Sequence, residues 1–195
     1  LVRRAAAHEA HSAVAFGRLA AELAALGAPA ALVARAVAAA ADEVRHAAAM
    51  ATLVGEAAPA LPVAPRGLRT AVEVARENAV EGCVHEAFAA VLAHVQAGAA
   101  CADHAPTYAA IADDEGGHAD LAWDVAAWLE PRLTSAERAD VEAARATAID
   151  ALPVVVTRQV ARDRAAAPSS GLPTSAVTRD LATRFAAALP ARAAA

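Results

Sequence analysis

An internal repeat at a fixed offset is the feature that most restricts how this chain of 195 residues can fold. The motif E-x-x-H occurs at residues 43–46 and again at residues 115–118. Another glutamate precedes each motif by the same distance, at Glu9 and at Glu81. With 12 Glu and 7 His in the chain, chance is a poor explanation for three matched pairs at one offset. The repeat therefore indicates a duplicated structural unit.

Each copy of the repeat has the composition and the turn signals of two long helices. Alanine dominates a chain that is 58% hydrophobic and only 3% aromatic, which favours helices over strands. Gly27 with Pro29 predicts the turn of a first helical hairpin, and Gly98 predicts the turn of a second. The sequence therefore predicts an all-α protein whose first four helices cover about residues 2–26, 29–54, 70–96 and 103–130.

A long Pro-rich linker, about residues 55–68, joins the two predicted hairpins. Fully extended, it would reach about 45 Å at ~3.3 Å per residue. A helix of 25 residues is only about 37 Å long. The linker can therefore cross the whole length of a bundle, which predicts four helices with one long crossover connection.

Two more helices are predicted after the bundle. Residues 134–137 have the pattern of a capping box and predict the start of a fifth helix, which Pro153 would kink or end. A linker at residues 164–173 precedes a sixth helix, predicted over Thr174 to Leu189. We expect residues 1–130 to form the bundle. Residues 131–195 would be a helical extension that packs on the bundle or on a partner chain.

The repeated motifs predict a metal site inside the bundle. Positions i and i+3 are neighbours on a helix, so each E-x-x-H directs a carboxylate and an imidazole to one point. The two glutamates of each hairpin are almost equally far from its predicted turn, which places all four at nearly one height. Burying them is strongly unfavourable unless two divalent ions balance their charge. The predicted ligands are Glu9, Glu43, His46, Glu81, Glu115 and His118.

This arrangement resembles the ferritin-like superfamily of di-iron carboxylate proteins over residues 1–130. The stretch EGCVHE at residues 81–86, with the two D-E-x-x-H elements, is similar to bacterial ferritin-like domain proteins. The resemblance implies a ferritin-like four-helix bundle in which Glu43 and Glu115 bridge two iron ions. The remaining ligands would pair as Glu9 with His46 on one ion and Glu81 with His118 on the other.

Five further residues lie near the predicted site. The resemblance implies that Asp42 and Asp114 accept hydrogen bonds that orient the metal-bound imidazoles. His85 is either a third imidazole ligand or, in the interpretation we favour, a hydrogen-bonded bystander. Glu86 lies about 140° from the preceding glutamate ligand on a regular helix, so it would reach the ions only through a π-bulge, and a solvated or ion-paired role suits it equally. Tyr108 could line the cavity or carry an electron, although core packing is the simpler interpretation.

A reduced di-iron centre with open coordination positions activates O2 or peroxide. The leading hypothesis is therefore a non-haem di-iron oxidoreductase, an oxidase or hydroxylase of a small organic substrate. The same ligands would accept Mn or mixed Fe and Mn, and a peroxidase would need an external electron donor. The alternatives are a ferroxidase of iron homeostasis and a metal-free structural bundle.

Charge and hydropathy restrict the partners of the chain. A formal net charge of -5 offers no basic face for nucleic acid or for an anionic membrane. No apolar stretch is long enough to span a membrane, and no signal peptide is evident. The sequence predicts a cytoplasmic protein, alone or as a homodimer, although the start at Leu1 leaves a trimmed targeting segment as an alternative.

Overall fold

The computed structural model describes residues 2–53, 55–64, 66–166 and 170–189, and all regular secondary structure in these residues is helical. The prediction of an all-α protein is confirmed to that extent. None of the described helices is both long and apolar enough to cross a membrane. The helices are α1 (Val2–Ala25), α2 (Ala30–Thr52), α3 (Ala71–Glu77), a π-helix (Asn78–Glu86), α4 (Ala87–Ala99), α5 (Ala105–Leu129), a 3-10 turn (Glu130–Arg132), α6 (Ser135–Ala166) and α7 (Ser175–Ala188).

The chain forms two compact units, Leu1–Val74 and Ala75–Ala195. In the first unit, α1 and α2 form an antiparallel hairpin with the predicted turn. Gly27 has a φ of +77°, which glycine adopts without steric cost. The amide of Ala28 donates to the carbonyl of Leu23 at 2.9 Å, which completes a Schellman motif at the end of α1.

The linker that follows α2 returns to the turn end of this hairpin. Arg18 donates a hydrogen bond to the carbonyl of Gly67 at 3.3 Å. Arg69 donates from its backbone amide and its guanidinium to the carboxylate of Glu22, at 2.7 to 3.0 Å. Since α2 ends at Thr52, beside the start of α1, these contacts near the end of α1 lie about 25 Å further along the hairpin. The linker therefore runs along the hairpin, as its length predicts.

In the second unit, the π-helix continues directly into α4, and α5 returns antiparallel to them. The turn lies at residues 100–104, so the prediction that Gly98 ends the helix is wrong. Gly98 lies inside α4 without a positive φ, and a single glycine weakens a helix by only about 1 kcal/mol. Equal distances of the two glutamates from Gly98 therefore do not place them at one height.

The helices α6 and α7 pack on the π-helix and α4. The ring of Phe88 lies edge-on to that of Phe185, with the ring centroids 5.4 Å apart. Gly171, with a φ of +77°, itself approaches α4 closely, because a Cβ there would lie 2.6 Å from the carbonyl oxygen of Gln96. The buried side chains of this core are Val84, Phe88, Ala148, Leu152 and Ala182.

The ends of α6 and α7 mostly match their sequence signals. The carboxylate of Glu137 accepts from the amide and the hydroxyl of Thr134, both at 2.8 Å, which confirms the capping box. Thr174 caps α7, whose predicted span is confirmed. Pro153 does not end α6, which continues to Ala166 because packing around it outweighs one lost hydrogen bond. Within the linker predicted at 164–173, residues 167–169 lie outside the described part of the chain.

Candidate metal centre

Three potential ligands meet in the first unit. Glu9 lies on α1, and Glu43 and His46 lie on α2. Each offers one ligand atom within 4.8 Å of the others, and Oε2 of Glu43 lies 3.5 Å from Nδ1 of His46. Glu43 and His46 are 1% and 3% exposed, and Glu9 is partly buried. We call these three residues the first cluster.

The second unit repeats the local geometry of the first motif. Glu115 and His118 lie on α5 and are 6% and 3% exposed. Oε2 of Glu115 lies 3.7 Å from Nδ1 of His118, close to the equivalent distance in the first cluster. These two residues form the second cluster. The repeat in the sequence is therefore also a repeat of a buried carboxylate beside a buried imidazole.

The chemistry of both clusters fits a transition-metal ion. Carboxylate oxygens and imidazole nitrogens together suit iron, manganese and zinc. Ligand atoms about 2.1 Å from one ion lie up to about 4 Å apart, so the 4.8 Å spread of the first cluster needs only small side-chain movements to accept an ion. A buried carboxylate is costly without a compensating positive charge, which a divalent ion would supply.

Glu81, the remaining predicted glutamate ligand, is far more exposed than the other three. The side chain of Glu81 is 65% exposed, and its Oε2 lies 3.0 Å from Nδ1 of His85. His85 is itself 34% exposed, so this contact lies at the surface of the second unit. Glu86, at the end of the π-helix, is partly buried. The structure therefore describes Glu81 and His85 as a surface pair, and it gives Glu86 the more sheltered position.

A π-helix, which the sequence does not predict, lies between α3 and α4. It spans Asn78–Glu86, and the amide that follows it donates to the carbonyl of Gly82, five residues earlier. The π-helix packs closely on α5 at Gly82, where an added Cβ would lie 2.8 Å from the Cβ of Ala122. Nδ2 of Asn78 donates to the carbonyl of Ala122 at 2.9 Å. π-helical turns inside α-helices are frequent at functional sites.

Three further residues predicted to lie near the site, Asp42, Asp114 and Tyr108, are ion-paired or buried to different degrees. Asp42 forms an ion pair with Arg45 at 2.6 Å, and Asp114 is partly buried. Tyr108 is 3% exposed near the α4–α5 turn. Its pKa is raised, mainly by burial, and a hydrogen bond with Gln96 opposes the rise only in part. Roles for the two aspartates as imidazole acceptors, and for the tyrosine in electron transfer, stay predictions.

Comparison with protein-family models, curated proteins and solved structures found no match to this chain. The likeness to di-iron proteins therefore stays an inference from motifs. The functional conclusion depends on the two clusters, their burial and the distances within them.

Proposed function

We propose that residues 1–130 form one ferritin-like four-helix bundle that holds two metal ions, iron or manganese, between the first and second clusters. The observation that carries this proposal is the repeated buried Glu–His pair, with spacings of 3.5 Å and 3.7 Å. The course of the linker along the first hairpin supports a topology with a single crossover.

In this proposal each cluster holds one end of a dinuclear centre. Glu43 and Glu115 would hold both ions as shared carboxylates, and His46 and His118 would each hold one of them. Glu9 would complete the first ion, and a glutamate of the π-helix would complete the second. The charges of four carboxylates then balance those of two divalent ions, which compensates for the burial of these side chains.

The reaction class that this site suits best is oxidation of a small organic substrate, as an oxidase or hydroxylase. When bound at this site, two reduced iron ions would supply the electrons that activate O2 or peroxide. The chain's own contribution is to hold the ions, exclude water and leave room beside them. Ala39 and Ala47, one turn either side of Glu43, and Ala112 near Glu115 are each 2% exposed, and a site lined by such small side chains would suit a modest substrate.

Oxygen consumption by the protein loaded anaerobically with Fe(II) tests this function. We expect rapid uptake of O2 on mixing, followed by repeated turnover only when a reductant and a substrate are added. A variant with both bridging residues replaced, Glu43→Met with Glu115→Met, should lose O2 uptake by more than about 100-fold. Such a loss would exceed the 10- to 100-fold typical of removing groups that only orient ligands.

Two other outcomes would redirect the conclusion. Sustained oxidation of excess Fe(II) without an organic substrate, by an assembly with the mass of a large shell, would favour the ferroxidase alternative. Equal O2 uptake by the wild-type protein and the double-methionine variant would contradict the proposed centre.

A further inference from the structure

We propose that Glu86, and not Glu81, is the counterpart of Glu9 in the second hairpin and supplies its carboxylate to the second metal ion. This inference rests on the proposed dinuclear centre. It replaces one ligand expected from the repeat, and it gives the π-helix Asn78–Glu86 a function. Four features of the second unit point to it.

Exposure separates the two glutamates. A ligand that shares an ion with Glu115 and His118 must reach a site where those residues are 6% and 3% exposed. Glu81 is 65% exposed and is engaged with His85 at the surface. Glu86 is partly buried, as Glu9 is in the first cluster.

Contacts between the π-helix and α5 fix the height of each residue. Asn78 donates to the carbonyl of Ala122, and Gly82 packs against the same residue, so positions 78–82 are level with it. Glu115 precedes Ala122 by seven residues, about 10 Å along α5 toward the turn. Because the helices are antiparallel, the residues level with Glu115 lie about seven positions after 78–82. These are about residues 85–89, which include Glu86, whereas Glu81 lies several ångströms away from them along the helix axis.

The first hairpin gives the same spacing relative to its turn. Glu9 is three residues further from the end of α1 than Glu43 is from the start of α2. In the second hairpin, Glu86 is likewise three residues further from the end of α4 than Glu115 is from the start of α5. For Glu81 the same difference is eight residues, so Glu81 would lie about 7 Å further along the helix axis from the level of Glu115 than Glu86 does.

The face of the helix also favours Glu86. Cys83 is fully buried, and its Sγ lies 3.6 Å from the carbonyl of Ala122, so it marks the side that contacts α5. Gly82 faces α5 as well, since a Cβ there would lie 2.8 Å from that of Ala122. A turn of the π-helix takes more than four residues, so Glu81, two residues before Cys83, lies almost opposite this side, whereas Glu86, four residues after Gly82, lies close to it.

Three isosteric variants test the assignment: Glu86→Gln, Glu81→Gln and Glu9→Gln. Each is loaded anaerobically with Fe(II), passed through a desalting column and analysed for metal content. Co(II) titration followed by its visible absorption gives the affinity of each ion. We expect two ions per chain in the wild-type protein and in Glu81→Gln. We expect Glu86→Gln and Glu9→Gln each to weaken one of the two ions by more than about 10-fold.

Circular dichroism of the metal-free variants shows whether each one folds. If Glu86→Gln does not fold, Glu86→Asp keeps the charge but shortens the side chain, and it should weaken one ion in the same way. Loss of metal in Glu81→Gln, alone or together with Glu86→Gln, would overturn this inference while leaving the dinuclear centre in place. A wild-type protein that binds no metal would overturn both.

Discussion

Replacing Glu43 and Glu115 together by methionine should stabilise the metal-free protein and destabilise the metal-loaded one relative to wild type. Both carboxylates are buried beside imidazoles, at 1% and 6% exposure. An ionised carboxylate is costly to bury without a metal ion beside it, and replacing buried ionic groups by apolar side chains of similar volume is often neutral or stabilising by about 1 to 4 kcal/mol. Methionine is unbranched and adapts to the space that glutamate leaves. We therefore expect the metal-free variant to gain stability of that size.

With metal bound, the wild-type protein should be more stable than the double-methionine variant. A ligand present at 1,000 times its dissociation constant stabilises the native state by about 4 kcal/mol, and the variant has lost both carboxylates that we propose to bridge the ions. Urea denaturation with a chelator, and again anaerobically with Fe(II) or with Mn(II), measures both differences. A variant less stable than wild type in the chelator, or an equal gain from metal in both proteins, would contradict the account.

Replacing Glu22 by glutamine should lower the free energy of unfolding by about 3 kcal/mol at neutral pH. The carboxylate of Glu22 is fully buried, and it accepts from Arg69 and forms an ion pair with Arg18 at 3.0 Å. Burial alone would raise its pKa. The hydrogen bonds and charge of Arg69, with the charge of Arg18, outweigh that effect and hold the pKa below its ordinary value of 4.5.

The lowered pKa gives this effect a pH dependence. Stabilisation by a carboxylate whose pKa is lower in the folded state is complete above the unfolded pKa and is lost as the pH falls through the folded one. The difference in the free energy of unfolding between wild type and Glu22→Gln should therefore decrease below about pH 4.5. Urea denaturation at several pH values measures it, with Glu77→Gln at an exposed site as the control that should stay within about 0.5 kcal/mol. If this difference in the free energy of unfolding does not change with pH, the ionised carboxylate of Glu22 is not its cause.

Helices and one of the two turns could be predicted because their signals are local. At Gly27 the glycine adopts the positive φ that ends a helix, and the proline that follows starts the next one. Gly98 is also a glycine, but it has no positive φ and lies inside α4, which continues to Ala99. A glycine only permits the left-handed conformation, and the surrounding structure decides whether it is used.

The two buried Glu–His pairs were predictable for the same reason, whereas the surroundings of the glutamates in the π-helix were not. A spacing of three residues brings Glu43 to His46 within a single helix, whatever the helix packs against. The height of Glu81 depends on where the chain turns and on how closely Gly82 approaches Ala122. Those are tertiary contacts, which the internal repeat does not encode.

The metal content of the wild-type chain tests the central claim most directly. Protein purified without added iron is loaded anaerobically with Fe(II), desalted and analysed by mass spectrometry beside the double-methionine variant. The proposed centre predicts about two ions per chain in the wild type and none in the variant. No metal in the wild type, or equal metal in both proteins, would contradict it and leave a duplicated helical protein whose buried glutamates serve another purpose.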